Sequence, residues 1–155
     1  ITDEQGAWNY HNVTTGRSDN AFTVFPSFNY MANPDGSDYI LVSQLGHILG
    51  EFAKIAVDYD GYHEPPAGMK KTALSTVAFP LFQWSNVDKS AEFLCPDGIN
   101  ILKKYKGNYI IWGDRTLFLT SGWRWLHQRR QFLHYEHVLQ EQTQEFVFDL
   151  NDPTT

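Results

Sequence analysis

The sequence predicts an α/β (α+β) fold, with a mixed β-sheet flanked by two main helices in a single domain. Three observations carry this. Short β-branched and aromatic runs alternate with two segments of helical period. The length of 155 residues suits one domain. A composition of 42% apolar and 19% charged residues supplies a core and excludes a disordered chain. Strands interleaved with helices are what a layered arrangement of the two requires.

Residues 1–20 are polar and lack a sustained period, so they read as a loop, a linker or the remnant of a preceding segment. The domain proper is expected over 21–155. Residues 21–30 alternate Phe22, Val24, Pro26, Phe28 and Tyr30 against the residues between them. This is a strand in which Pro26 forces an edge, a bulge or an end. Asn33-Pro34-Asp35-Gly36 is a turn, because Pro fixes φ and Gly permits positive φ. A short strand over 39–42 leads to Ser43, which can cap a helix. Leu45, Ile48, Leu49, Phe52, Ile55 and Ala56 then form one helical stripe. Gly46 and Gly50 on that helix each cost up to ~1 kcal/mol relative to Ala, which predicts close approach of another backbone. A loop over 58–68 ends this helix.

The second half continues the alternation. Residues 76–84 suggest a strand, 86–95 one helical turn, and Pro96-Asp97-Gly98 a turn. Strands are expected over 99–102 and 109–112, with Gly113-Asp114 turning into a further strand over 115–119. The second main helix is expected over 123–145, with Trp125, Phe132, Tyr135, Leu139 and Phe146 on one stripe. Strand-like residues return over 146–150.

The net charge of −6 argues against a general nucleic-acid binder, which needs a basic surface. No apolar run reaches the ~18 residues of a membrane helix, so no membrane insertion is expected. The single Cys95 forms no internal disulfide and points to synthesis in a reducing compartment. No nucleophile elbow or phosphate-binding glycine loop is present, so no catalytic residue is assigned and no cofactor is expected. His134, His137 and Glu141 share one face of the second main helix, the spacing of a zinc half-site. A metal-dependent hydrolase built on them is therefore one alternative, although no metal is assigned. A monomeric ligand-binding domain using exposed aromatics is another.

That helix carries its bases early (Arg124, Arg129, Arg130) and its acids late (Glu136, Glu141, Glu145). The helix dipole favours the reverse, by ~0.3–1 kcal/mol per charge in a terminal turn. Either the charged ends meet other subunits or they pair within the chain. On the first reading, charge reversal at Arg129 and Arg130 weakens assembly and spares the fold.

Four ordered blocks of the second half are similar to the tail sheath proteins of contractile-tailed bacteriophages. Gly98-Ile99-Asn100-Ile101-Leu102 resembles their G-[VI]-N-x-[IL], and Tyr109 to Leu117 their V-x-W-G-x-R-T-L through Trp112-Gly113-Asp114-Arg115-Thr116-Leu117. Trp123-Arg124 with Gln128-Arg129-Arg130 resembles W-R-x-[IV]-N-x-R-R, and Phe146-Val147-Phe148 with Asn151-Asp152 resembles V-F-[ED]-x-N-D. Ser43 to Gly50 and Gly61 to Gly68 fit the family's first half more loosely. Tyr105 to Tyr109 lacks the Pro and second Gly of its F-P-G-x-G. The resemblance covers about 21–152 and implies a fragment of the family's core domain, lacking both terminal arms.

It further implies a mechanical protein without a cofactor. Sheath subunits stack as helical or hexameric-ring homo-oligomers around a tail tube, join a baseplate, and exchange terminal arms as added strands. Contraction then drives the tube through the host envelope. The implied location is the virion tail, assembled in the host cytoplasm, without direct nucleic-acid contact. Arg115, Arg124, Arg129, Arg130, Glu136 and Glu141 are the expected interface charges. Lys103, Lys104 and Lys106 are expected to touch the tube or a neighbouring subunit.

Overall fold

The computed structural model describes residues 3–14, 18–59, 61–74, 77–82, 86–120 and 122–147, with only the backbone of Val13 and Thr14. In chain order the elements are α1 (Glu4–Thr14), β1 (Thr23–Phe25), β2 (Phe28–Ala32), β3 (Tyr39–Ser43), α2 (Leu45–Asp58), β4 (Phe79–Pro80), α3 (Val87–Leu94), β5 (Ile99–Tyr105), β6 (Asn108–Trp112) and α4 (Leu126–Thr143). The class is α+β, as expected, but the described strands form two three-stranded sheets where one was predicted. The run over 21–30 breaks at Pro26, which has no backbone N–H to give to a ladder. Its first half, β1, pairs in parallel with β5, and β5 pairs antiparallel with β6. Its second half, β2, is the centre of an antiparallel sheet of order β3-β2-β4.

Local chemistry accounts for the joins. Asn33 and Gly36 close the β2–β3 turn, the Gly36 N–H donating to the Asn33 carbonyl at 2.9 Å. Lys106 and Gly107 both have positive φ, +48° and +90°, as a two-residue hairpin between right-twisted strands demands. The Asn86 side chain caps α3 by accepting from the Lys89 N–H at 3.2 Å. The core lies around β5, whose residues Ile99, Asn100, Ile101 and Leu102 are all buried. Ile99 and Ile101 pack with Phe25, Leu94 and Ala7, while Leu102 packs with Leu74, Val77 and Tyr109.

Several expectations are corrected. The stretch read as an irregular leader contains α1, which buries Ala7 and His11 and ties to α3 through a Glu4–Ser90 hydrogen bond. Trp8 Nε1 also donates to Asp97 at 2.6 Å. Gly46 and Gly50 meet no close backbone; a Cβ at either would find nothing within 4 Å. The strand expected over 76–84 is only β4 among the described residues. Residues 115–119 form no strand either. Arg115 and Thr116 make isolated bridges to Trp125 and Phe22, because Asn100 occupies the Arg115 backbone.

The second main helix begins at Leu126, after a 3₁₀ turn over Gly122–Arg124. Its apolar stripe does not pack into a core. Instead Phe132, Tyr135, Leu139 and Phe146 are exposed, and Leu126 is the buried residue of α4. The strand expected from 146 is a 3₁₀ turn over Gln144–Phe146 followed by Val147, and 148–150 lie outside the described residues. Among the described residues no helix is long and apolar enough to cross a membrane.

Candidate assembly surface

The glycine, asparagine and threonine of the second-half blocks build one joint. Asn100 is fully buried in β5. Its Nδ2 donates to the carbonyls of Thr23 at 3.0 Å and Arg115 at 2.8 Å, and its Oδ1 accepts from the Arg115 N–H at 3.0 Å. One side chain thus joins β1, β5 and the segment after β6. Gly113, at φ +135°, makes room for it: a Cβ there would lie 2.9 Å from Asn100 Cγ. Gly98, at φ +84°, admits the Thr116 carbonyl, which a Cβ would meet at 2.7 Å.

The same segment holds the start of α4. The Asp114 carbonyl accepts from the Leu126 N–H at 3.0 Å, and its carboxylate accepts from the His127 N–H at 3.3 Å. The carboxylate also pairs with His127 Nδ1. Burial raises the Asp114 pKa, opposed by the His127 hydrogen bonds and charge. Thr116 Oγ1 donates to the Trp123 carbonyl at 2.9 Å. An Asn inside an apolar strand run is the sequence signal for such a hub, since a buried amide must be hydrogen-bonded. The sequence places Asn100 in a strand and Asp114 in a turn, and marks neither as a hydrogen-bonding hub.

The predicted interface charges divide into two groups. Arg129 is largely enclosed: its Nε lies 3.0 Å from Asn20 Oδ1 and 3.3 Å from Asp19, and Nη1 lies 3.8 Å from Glu136. Arg130 donates to the Phe52 carbonyl at 3.2 Å and stacks between the Phe52 and Tyr62 rings. Burial pushes its pKa down. These contacts explain the adverse charge order of α4: its early bases bind the domain. Arg115 stacks on Trp125 at 5.5 Å, and Lys103 pairs with Asp88 at 2.6 Å while covering Trp112.

Arg124, Lys104, Lys106, Glu136 and Glu141 remain exposed. Arg124 lies over Trp125, Lys104 over Tyr109 and Lys106 over Tyr105. His137 pairs with Glu141 at 3.3 Å, whereas His134 packs on Tyr62 at 5.1 Å. These three side chains therefore do not converge, and among the described residues no group of three His, Cys, Asp or Glu is placed to hold a metal ion.

Beyond Arg130, α4 and the 3₁₀ turn after it expose apolar and acidic side chains together. Leu139 is 60% and Phe146 65% exposed, beside Glu136, Glu141 and Glu145. β3 is an outer strand, and its Tyr39, Ile40 and Leu41 are exposed. Large apolar side chains grouped on the surface and rimmed by charge mark interaction sites. An outer strand also offers unpaired backbone to another chain.

No family model and no curated protein matches the chain. Solved structures do. The chain superposes on a chain of the extracellular contractile injection system PVC sheath complex, contracted state, with TM-score 0.76 and 18% identity over 98% of its length. It superposes on a chain of the contracted helical sheath of the anti-feeding prophage with TM-score 0.73 and 22% identity over 92%. A chain of that prophage's six-fold symmetrised baseplate gives 0.74 and 22% over 90%. It spans 40%, 38% and 36% of those chains respectively. The fold is therefore that of a domain found within contractile injection assemblies.

Proposed function

We propose that this chain is part of a structural subunit of a contractile tail sheath, which polymerises around a tail tube and contracts to drive it through a host envelope. The observation that carries the reading is the likeness of fold over nearly the whole chain to chains of contracted sheath structures. The core domain of that subunit, expected over 21–155, also takes in α1, whose Ala7 packs in the same core, and its location is the tail, assembled in the host cytoplasm. Its partners are other sheath subunits, the tube and the baseplate.

The surfaces support this. Exposed acids on α4 and exposed Lys104 and Lys106 provide opposite charges for a head-to-tail contact, the type that generates open helical assemblies. The outer edge of β3 is suited to receive an added strand. Stored energy in such an assembly is a difference between two sets of subunit contacts, each requiring a rigid subunit. The Asn100 joint supplies rigidity by holding β1, β5 and the segment after β6 together. A metal-dependent hydrolase is disfavoured by the divergence of His134 from His137 and Glu141.

Negative-stain electron microscopy of the complete reading frame that encodes these residues tests the proposal. Hollow, regularly striated tubes are expected. Dispersed monomers across salt and protein concentration, with and without a tail tube protein, would overturn it.

A further inference from the structure

We infer that Arg115, Arg124 and Trp125 form a carboxylate-accepting clamp, and that its occupant is the acidic end of α4, Glu141 and Glu145, in a second copy of this chain. Both guanidinium groups lie over one indole ring, Arg115 at 5.5 Å and Arg124 at 5.0 Å from the Trp125 centroid. The electron-rich ring face attracts each cation, while the two cations repel each other. Neither side chain has a carboxylate or other hydrogen-bond acceptor among the described residues. Arg129 and Arg130 differ, being held by Asp19 and by the Phe52 carbonyl. Arg124 is exposed and no Arg115 nitrogen is enclosed, so both groups are open to an incoming anion.

The backbone presents them rigidly. Residues 114–116 run antiparallel to 124–126, with Arg115 opposite Trp125. The Leu126 N–H donates to the Asp114 carbonyl at 3.0 Å, and the Thr116 N–H to the Arg124 carbonyl at 2.8 Å. Asn100 holds both the N–H and the C=O of Arg115. Planar guanidiniums on a fixed backbone are suited to bidentate capture of a carboxylate.

Charge complementarity names the occupant. Glu136 lies 3.8 Å from Arg129, but Glu141 meets only His137, and Glu145 meets no cation among the described residues. Both of these are exposed. Phe146 and Val147, which follow Glu145, are also exposed and supply apolar surface for the Trp125 ring. The two ends cannot meet within one chain, because the 18 residues of α4 hold them about 27 Å apart at the helical rise. The contact therefore joins the start of α4 in one copy to its end in the next, a head-to-tail pairing that repeats along an open helix or closes as a ring. Lys104 and Lys106 match the acids less well. Each sits on its own tyrosine, and an ammonium lacks the fork of a guanidinium. The inference rests on the sheath reading, which supplies the neighbouring copy.

The test is assembly of the complete reading frame that encodes these residues, read as the lowest protein concentration at which striated tubes pellet and are seen in negative stain. Arg115→Glu with Arg124→Glu, and separately Glu141→Arg with Glu145→Arg, should each raise that concentration about tenfold or more. All four changes in one chain restore opposite charges across the contact and should return it to within about threefold of the parent. Arg124→Glu with Glu145→Arg, both at exposed positions, repeats the exchange if Arg115→Glu lowers the melting temperature. Lys104→Glu and Lys106→Glu, combined with Glu141→Arg and Glu145→Arg, should restore nothing.

Normal tube formation after reversal of Arg115 and Arg124 overturns the inference. So does a four-fold exchange that stays as defective as its halves. Restoration by the lysine exchange would pair the acids with the β5–β6 hairpin and overturn it too. These results leave the sheath reading standing, because the parent still forms tubes. A parent that forms none removes the sheath reading and this contact with it.

Discussion

Replacing Asn100 with Ala removes the side chain that joins β1, β5 and the segment leading to α4. Three backbone groups lose their partners: the Thr23 carbonyl, the Arg115 N–H and the Arg115 carbonyl. Each such loss in a buried setting costs ~1 kcal/mol or more, which places the expected destabilisation at about 3 kcal/mol. For a chain of this size each kcal/mol lowers the melting temperature by ~2–4 °C, so a fall of roughly 6–12 °C is expected. The assay is urea unfolding followed by tryptophan fluorescence, with thermal melting alongside. The denaturant slope should stay constant if the native surface is unchanged. Asn100→Leu separates the two components of the loss, because it restores volume without restoring hydrogen bonds. It should be about as destabilising as Asn100→Ala. A loss below about 1 kcal/mol in Asn100→Ala, or a near-neutral Asn100→Leu, would refute the reasoning and assign the position to packing alone.

The glycines should separate sharply by thermal melting. Gly113→Ala and Gly98→Ala, at positive φ with no room for a Cβ, should each lose more than ~2 kcal/mol. Gly46→Ala and Gly50→Ala, which face open space, should each gain up to ~1 kcal/mol. Asp114 should leave a signature in the pH dependence of stability. Burial lifts its folded pKa above the ordinary 3.8, so the native state holds this proton more tightly than the unfolded chain. That contribution is present below pH 3.8 and is lost as pH rises through the folded pKa. Asp114→Asn should remove this component from denaturation curves taken at low pH, and an unaltered profile would contradict it. Cys95 is half-buried, with its Sγ 3.9 Å from the Trp112 carbonyl, and burial raises its pKa above 9.0. Iodoacetamide should therefore label the native thiol more slowly at mildly alkaline pH than the urea-unfolded thiol, and equal rates would contradict the burial.

The predicted surface reading is revised by where the charges lie. Reversal of Arg129 or Arg130 was expected to spare the fold, but both side chains bind the domain through Asp19, Asn20 and Phe52. Glu141, 64% exposed, together with Lys104 and Lys106, offers positions where reversal tests assembly with little effect on folding. A contact built on them should weaken with salt, since exposed charges are screened within ~10 Å at 0.1 M ionic strength.

By itself the sequence determined what depends on neighbours along the chain. The Asn33–Gly36 turn, strands at 99–102 and 109–112, and most of α2 and α4 follow from φ preferences, β propensity and hydrophobic period, which act over a few residues. The α+β class followed from their sum. The second-half blocks were legible as a pattern, and their physical content became visible only when Asn100, Gly113 and Arg115 met in space. The tertiary structure alone decided which apolar stripe finds a partner. Periodicity gives α2 and α4 a stripe each, yet Ile48 and Ile55 are buried while Leu139 and Phe146 face solvent. It also decided that the run around Pro26 serves two sheets, that a polar leader carries α1, and that the Gln44 amide is buried without a hydrogen-bond partner among the described residues. These are outcomes of long-range packing, in which burial is set by residues distant in the chain. No local pattern encodes them.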